Sequence, residues 1–131
     1  MRIKLKLAAS LLVFSIFAFN PANAAETPAG RLRHVVCLKF KEDAKPEDIK
    51  KAENAFRDLK NKLNVVLSLE WGTNVSKENR AKGFTHCFFL TFVDEKDLDT
   101  YAKSAEHQNF AKTFLVPIMD DVFVIDYHAQ E

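Results

Sequence analysis

Glycine is scarce in this 131-residue chain, with three residues, Gly30, Gly72 and Gly83, standing far apart. A phosphate-cradling loop needs clustered glycines ahead of a helix, so nucleotide-binding loops of that kind are excluded. Charge of one sign is also missing: 19 Lys and Arg against 18 Asp and Glu give a net +1. Without a basic surplus the chain has no electrostatic footprint for non-specific nucleic-acid binding. His-x-x-x-His and Glu-x-x-His pairs are absent, which removes the usual helical metal-ligand spacings. No haem attachment motif occurs either. The expectation is therefore a protein without metal or cofactor. The longest apolar run, residues 7–19, is short of the roughly 20 residues a membrane span needs. What is abundant is hydrophobic residues, at 47%, and phenylalanine, at 12 residues, in amounts that specify a packed core.

The N-terminus has three parts. Arg2, Lys4 and Lys6 form a basic start, residues 7–19 are apolar apart from two serines, and Ala22-Asn23-Ala24 precedes Ala25. That is the pattern of a secretory signal peptide over residues 1–24, cleaved after Ala24. No cysteine follows the apolar run and no Arg-Arg pair precedes it, which points to the general secretory route. The expected location is periplasmic or secreted, with no membrane segment after cleavage. The mature chain, residues 25–131, then has a net charge of −2 and is long enough for one compact domain. Residues 25–31, with Pro28 and Gly30, read as a flexible lead-in.

Periodicity divides the remainder. Residues 32–40 are β-branched and apolar and predict a strand. Residues 46–63 predict a helix: Pro46 suits its first position, and Ile49, Ala52, Phe56, Leu59 and Leu63 fall on one stripe. Lys50, Lys51, Arg57, Lys60 and Lys62 alternate with acids there, as on a solvated face. Strands follow at 65–74 and 84–93, joined by a polar turn ending in Gly83. Asp94 can cap a helix to about Lys103, and Ser104 a further one to Leu115, stopped by Pro117. Residues 121–127 form the last strand. The order β-α-β-β-α-β, with a broken second helix, specifies an α+β, ferredoxin-like domain with a four-stranded antiparallel sheet and its helices on one face.

The strands are apolar on both faces. Val35 and Cys37 oppose His34, Val36, Leu38 and Phe40; Cys87 and Phe89 oppose Phe84, His86, Phe88, Leu90 and Phe92; Val122 and Val124 oppose Phe123, Ile125 and Tyr127. Helices on one side leave the other bare, so a homodimer joined sheet to sheet is expected.

His34 and His86 point to the helix side from neighbouring strands. Tyr101 and His107 flank the helix break, which can bring both over one pocket. A histidine beside a tyrosine hydroxyl in an apolar cavity is a general acid–base pair, and desolvation keeps the imidazole neutral. The same residues also serve as ordinary hydrogen-bonded core residues. His128 falls in the C-terminal tail and is expected exposed, and no carboxylate is expected beside the other histidines. Cys37 and Cys87 share a face of adjacent strands, as buried free thiols or as a disulfide. Asn74-Val75-Ser76 matches a glycosylation acceptor but reads as a turn in an exported bacterial-type chain.

Arg33 to Lys41 at the first strand, Trp71 to Ser76 after the second, Gly83 to His86 entering the third, Tyr101 to His107 with Phe110, and Ile125-Asp126-Tyr127 together resemble the stress-responsive A/B barrel (Dabb) family of dimeric α+β barrels. The resemblance covers residues 32–128. It implies a ferredoxin-like protomer whose sheet pairs with its twin to close a barrel. Some plant members are polyketide cyclases, and the matching positions for their pocket are His34, Tyr101 and His107, with His86 as another lining residue. Ala105 stands where the family commonly has proline. Three readings follow: an exported stress or accessory dimer holding a small apolar ligand, a cofactor-independent lyase or cyclase using His107 and Tyr101, and a monooxygenase of the sibling barrel family.

Overall fold

A computed structural model describes residues 30–130. The expected signal peptide and cleavage site, and most of the expected lead-in, lie outside the described residues. The elements are β1 (Leu32–Phe40), α1 (Pro46–Lys62), β2 (Ser68–Thr73), β3 (His86–Phe92), α2 (Glu95–Lys103), α3 (Ala105–Phe110) with a π-helical turn at Ala111–Leu115, and β4 (Met119–His128). The sheet is antiparallel with strand order β2-β3-β1-β4. The ferredoxin-like order expected from periodicity is what forms.

Local chemistry sets the boundaries. Pro46 opens α1, and Glu47 and Asp48 sit in its positive first turn. Lys51–Asp48 and Lys62–Asp58 pair along its outer side, the solvated face expected, while Lys50 reaches inward to Glu53, which is 11% exposed. β2 starts later than the expected residue 65, because a turn closed by Val66 N–H to the Leu63 carbonyl uses the residues before it. β3 starts later than residue 84, because Phe84 N–H closes a turn on the Ala81 carbonyl. Gly83 in that turn has φ +88°, and a β-carbon there would meet Lys39 Cε at 2.7 Å. Asn74 Oδ1 accepts from Ser76 N–H at 2.9 Å, so the acceptor-like tripeptide serves as a turn.

The core lies between α1, the broken second helix and the covered side of the sheet. Phe56 stacks on Phe88 with ring centroids 3.9 Å apart, and Leu38, Leu59, Leu90 and Phe92 close around them. The helices do not reach β4. Val122, Phe123, Val124, Ile125 and Tyr127 are each 39% to 49% exposed, so both faces of this edge strand are open. No helix among the described residues is long and apolar enough to cross a membrane.

Candidate functional site

The break between α2 and α3 is made by Ser104. Its backbone leaves the helical region (φ −63°, ψ 148°), and its hydroxyl donates to the Tyr101 carbonyl at 2.7 Å while accepting from His107 N–H at 3.1 Å. One serine thus ends one helix, caps the next and fixes the step between Tyr101 and His107. Their rings stand 4.6 Å apart. His34 on β1 completes the group, 6.0 Å from the Tyr101 ring. Phe92 packs against both His34 and Tyr101.

Tyr101 is 1% exposed, and among the described residues its hydroxyl has no hydrogen-bond partner. Burial pushes its pKa upward, so the phenol stays protonated and can donate. His107 is half-buried, and its Nδ1–H donates to the Ala102 carbonyl at 3.2 Å. Desolvation holds its pKa below the ordinary value against that hydrogen bond, with a smaller push from His34. The imidazole is therefore neutral near pH 7, with Nε2 left as the acceptor. His34 donates from Nδ1 to Asp126 Oδ1 at 2.5 Å. That orients the ring and leaves Nε2 free when the imidazole is neutral.

Three of the four expected site residues, His34, Tyr101 and His107, come together. His86 shares their side of the sheet but not their place. The β1–β3 register sets His34 opposite Leu90 and His86 opposite Leu38. Four residues along a strand is roughly 13 Å. His86 instead meets Glu53 of α1 at 3.1 Å and Thr85 at 2.8 Å, between Phe40 and Trp71.

The expectation that no carboxylate stands beside His34, His86 and His107 is overturned at two of them: Asp126 faces His34 and Glu53 faces His86, while Glu95 faces His128. Asp126 is the member missed. A lone acid within the apolar 122–127 strand was its signal, but facing His34 depends on the β1–β4 register. His128 is not in a free tail; it ends β4, half-exposed, donating from Nδ1 to the Gly30 carbonyl. Cys37 and Cys87 are directly opposite across β1 and β3, and both are free. Cys87 is exposed on the open side rather than buried, over a hollow of about 410 Å³ beside Gly72. Desolvation by the apolar rim, reinforced by the Cys37 thiol, pushes Cys87 up to about 11. It is a poor nucleophile at neutral pH. Among the described residues no group of three or more His, Cys, Asp and Glu is placed to hold a metal ion.

Residues 32–129 match the stress responsive A/B barrel domain. Among proteins of similar sequence is the stress-response A/B barrel domain-containing protein HS1 of Arabidopsis thaliana, 34% identical over 78% of this chain and 93% of its own length. Olivetolic acid cyclase of Cannabis sativa is 23% identical over 73% of this chain and 94% of its own. Among solved structures, hydroxynitrile lyase from Passiflora edulis superimposes with a TM-score of 0.73 at 28% identity, covering 79% of this chain and 97% of that one. A dimeric ferredoxin-like protein from Bacteroides fragilis (TM-score 0.62, 22% identity, 76% and 96% covered) shares the fold. The match spans nearly the whole described domain and includes every strand of the sheet; the chain belongs to the stress responsive A/B barrel domain family.

Proposed function

We propose that this protein is an exported homodimer that holds a small, largely apolar molecule bearing an oxygen, received by Tyr101 with His107 and His34. The observation that carries this is the buried Tyr101 hydroxyl without a partner. Leaving such a group unpaired costs on the order of 1–3 kcal/mol, and a ligand oxygen accepting from it removes that cost. The surroundings are aromatic, which suits an apolar ligand body. The dimer is supported by the open apolar strand β4 and by structural neighbours described as dimeric. Export rests on residues 1–24, and a mass beginning at Ala25 in the exported fraction of the native host is its test.

A second reading is turnover. Tyr101 as proton donor, neutral His107 as proton acceptor and a carboxylate-oriented His34 form an acid–base set for cofactor-independent cleavage or closure of a carbon–carbon bond. Similarity to a hydroxynitrile lyase and to olivetolic acid cyclase favours it. Both readings require the layer around Tyr101 to open, since its ring is 1% exposed. Native mass spectrometry of protein purified from its own host tests the binding reading. A retained mass, lost in Tyr101→Phe, supports binding; its absence in the wild type counts against it. Release of benzaldehyde from mandelonitrile by the wild type, lost in His107→Gln, would add turnover.

A further inference from the structure

The open side of the sheet holds both cysteines of the chain, and strand pairing sets them side by side. Cys37 on β1 is directly opposite Cys87 on β3, so both side chains leave by the same face. The backbone hydrogen bonds tell which kind of opposite pair this is. At the two ends of the β2–β3 pairing, odd-numbered residues turn their carbonyls to β2: Thr85 accepts from Asn74 N–H at 2.8 Å and Thr91 from Leu67 N–H at 2.9 Å. Cys87, in the same alternation, bonds toward β2 as well. On β1 the Leu38 carbonyl accepts from Thr85 N–H at 3.0 Å, so Leu38 bonds toward β3 and its neighbour Cys37 toward β4. Cys37 and Cys87 thus share no backbone hydrogen bond. That is the closer of the two antiparallel pairings, with α-carbons about 4.5 Å apart, and a disulfide spans α-carbons from about 4.4 to 6.8 Å.

The neighbours leave the thiols room to meet. On β2 the residue opposite Cys87 is Gly72, where even a β-carbon would find nothing within 4 Å. Both cysteines line the hollow of about 410 Å³, and Cys87 is exposed there. Directly opposite β-carbons stand about 4.5–5.5 Å apart, and a disulfide needs about 3.5–4.5 Å. Cys87 is the second residue of β3, just after the turn closed by Phe84 N–H, so the strand end can supply an approach of about 1 Å. The Cys37 thiol already acts on Cys87, being among the causes that push its pKa up.

We propose that Cys37 and Cys87 are a redox pair that closes, within one protomer, into a disulfide stapling β1 to β3. The oxidant is a small disulfide such as oxidised glutathione. Cys87, the exposed thiol, gives up its proton and attacks one sulfur of it, expelling one glutathione thiolate. The Cys37 thiolate then attacks the Cys87 sulfur of the mixed disulfide and expels the second. Two protein thiols are oxidised, one disulfide is reduced to two thiols, and the two protons pass to the released thiolates. The first exchange is slow at neutral pH, since the Cys87 thiol is held protonated. The test equilibrates the protein in glutathione buffers from reducing to oxidising, approached from both directions so that neither slow exchange nor a covering second copy decides the result. Thiols are then trapped with N-ethylmaleimide in denaturant and the chain is weighed. The expected oxidised product is a single chain lighter by two hydrogens that takes no maleimide. C37S and C87S should each end as a glutathione adduct instead. Two maleimides on the wild type in the most oxidising buffer overturn the proposal, and so do a persistent glutathione adduct or two chains joined by a disulfide. Reduction should lower the wild-type melting temperature by on the order of 10 °C and leave C37S unmoved. Equal shifts in both contradict the staple. None of these outcomes depends on whether the chain forms a homodimer.

Discussion

The two sides of the sheet solve the same problem differently. One is sealed by the chain's own helices, and its polar groups, Tyr101, His34 and His107, meet inside that layer. The other is equally apolar at Val35, Phe89, Phe123 and Ile125, but none of the described residues covers it at β4. The sealed side gathers the polar ring residues; the open side keeps large apolar side chains exposed. The open side is read through its exposed apolar strand β4, the sealed side through the buried Tyr101 hydroxyl.

Mutations that treat the two sides alike should give unlike results. Phe88→Ala on the sealed side leaves a cavity against Phe56 and should cost about 3–5 kcal/mol in denaturant unfolding. Phe123→Ala on the open side should cost the isolated protomer less than about 1 kcal/mol and act on dimer affinity instead. Equal losses in dilute protein would erase the distinction.

Tyr101→Phe sharpens the functional half. It removes a buried hydroxyl that has no partner, so the ligand-free protein should be unchanged or up to about 1 kcal/mol more stable. A loss larger than that in thermal or denaturant unfolding would mean the hydroxyl is already satisfied.

The pH dependence has a definite sign. His107 has a lowered folded pKa, so in the window below 6.5 the unfolded chain binds more protons than the folded one. Its contribution to stability is intact above about 6.5 and is lost as pH falls through that window to the lowered value. Melting temperatures from pH 8 to 5 should fall less in His107→Gln than in the wild type. The smallest effect belongs to Asp126→Asn: the carboxylate is close to half exposed, so stability should change by less than about 1 kcal/mol. Orientation of His34 should suffer more, read as weaker ligand retention at unchanged melting temperature.

Much of this was legible because it is local. Pro46, Asp94 and Ser104 mark their helix starts by chemistry that acts within a few residues, and the break at Ser104 gave the proximity of Tyr101 and His107. Alternation told which side each strand residue faces. Register was not legible, since it depends on pairing between distant segments. It puts His86 with Glu53 rather than with His34, and brings Asp126 to His34 from a strand 92 residues away. The depth of Arg33 was hidden for the same reason: alternation gives its side of the sheet, but Thr91 and Phe89 gather around it only once β3 is paired. The openness of β4 on both faces was unreadable because helix coverage stops one strand short of the sheet edge.

Sedimentation equilibrium at micromolar concentration tests the central claim, that one side of this sheet is completed by the chain and the other by a second copy. Wild-type protein should have the mass of two chains, and Phe123→Asp with Ile125→Asp the mass of one chain that remains folded by circular dichroism. A wild type with the mass of a single chain would contradict the account.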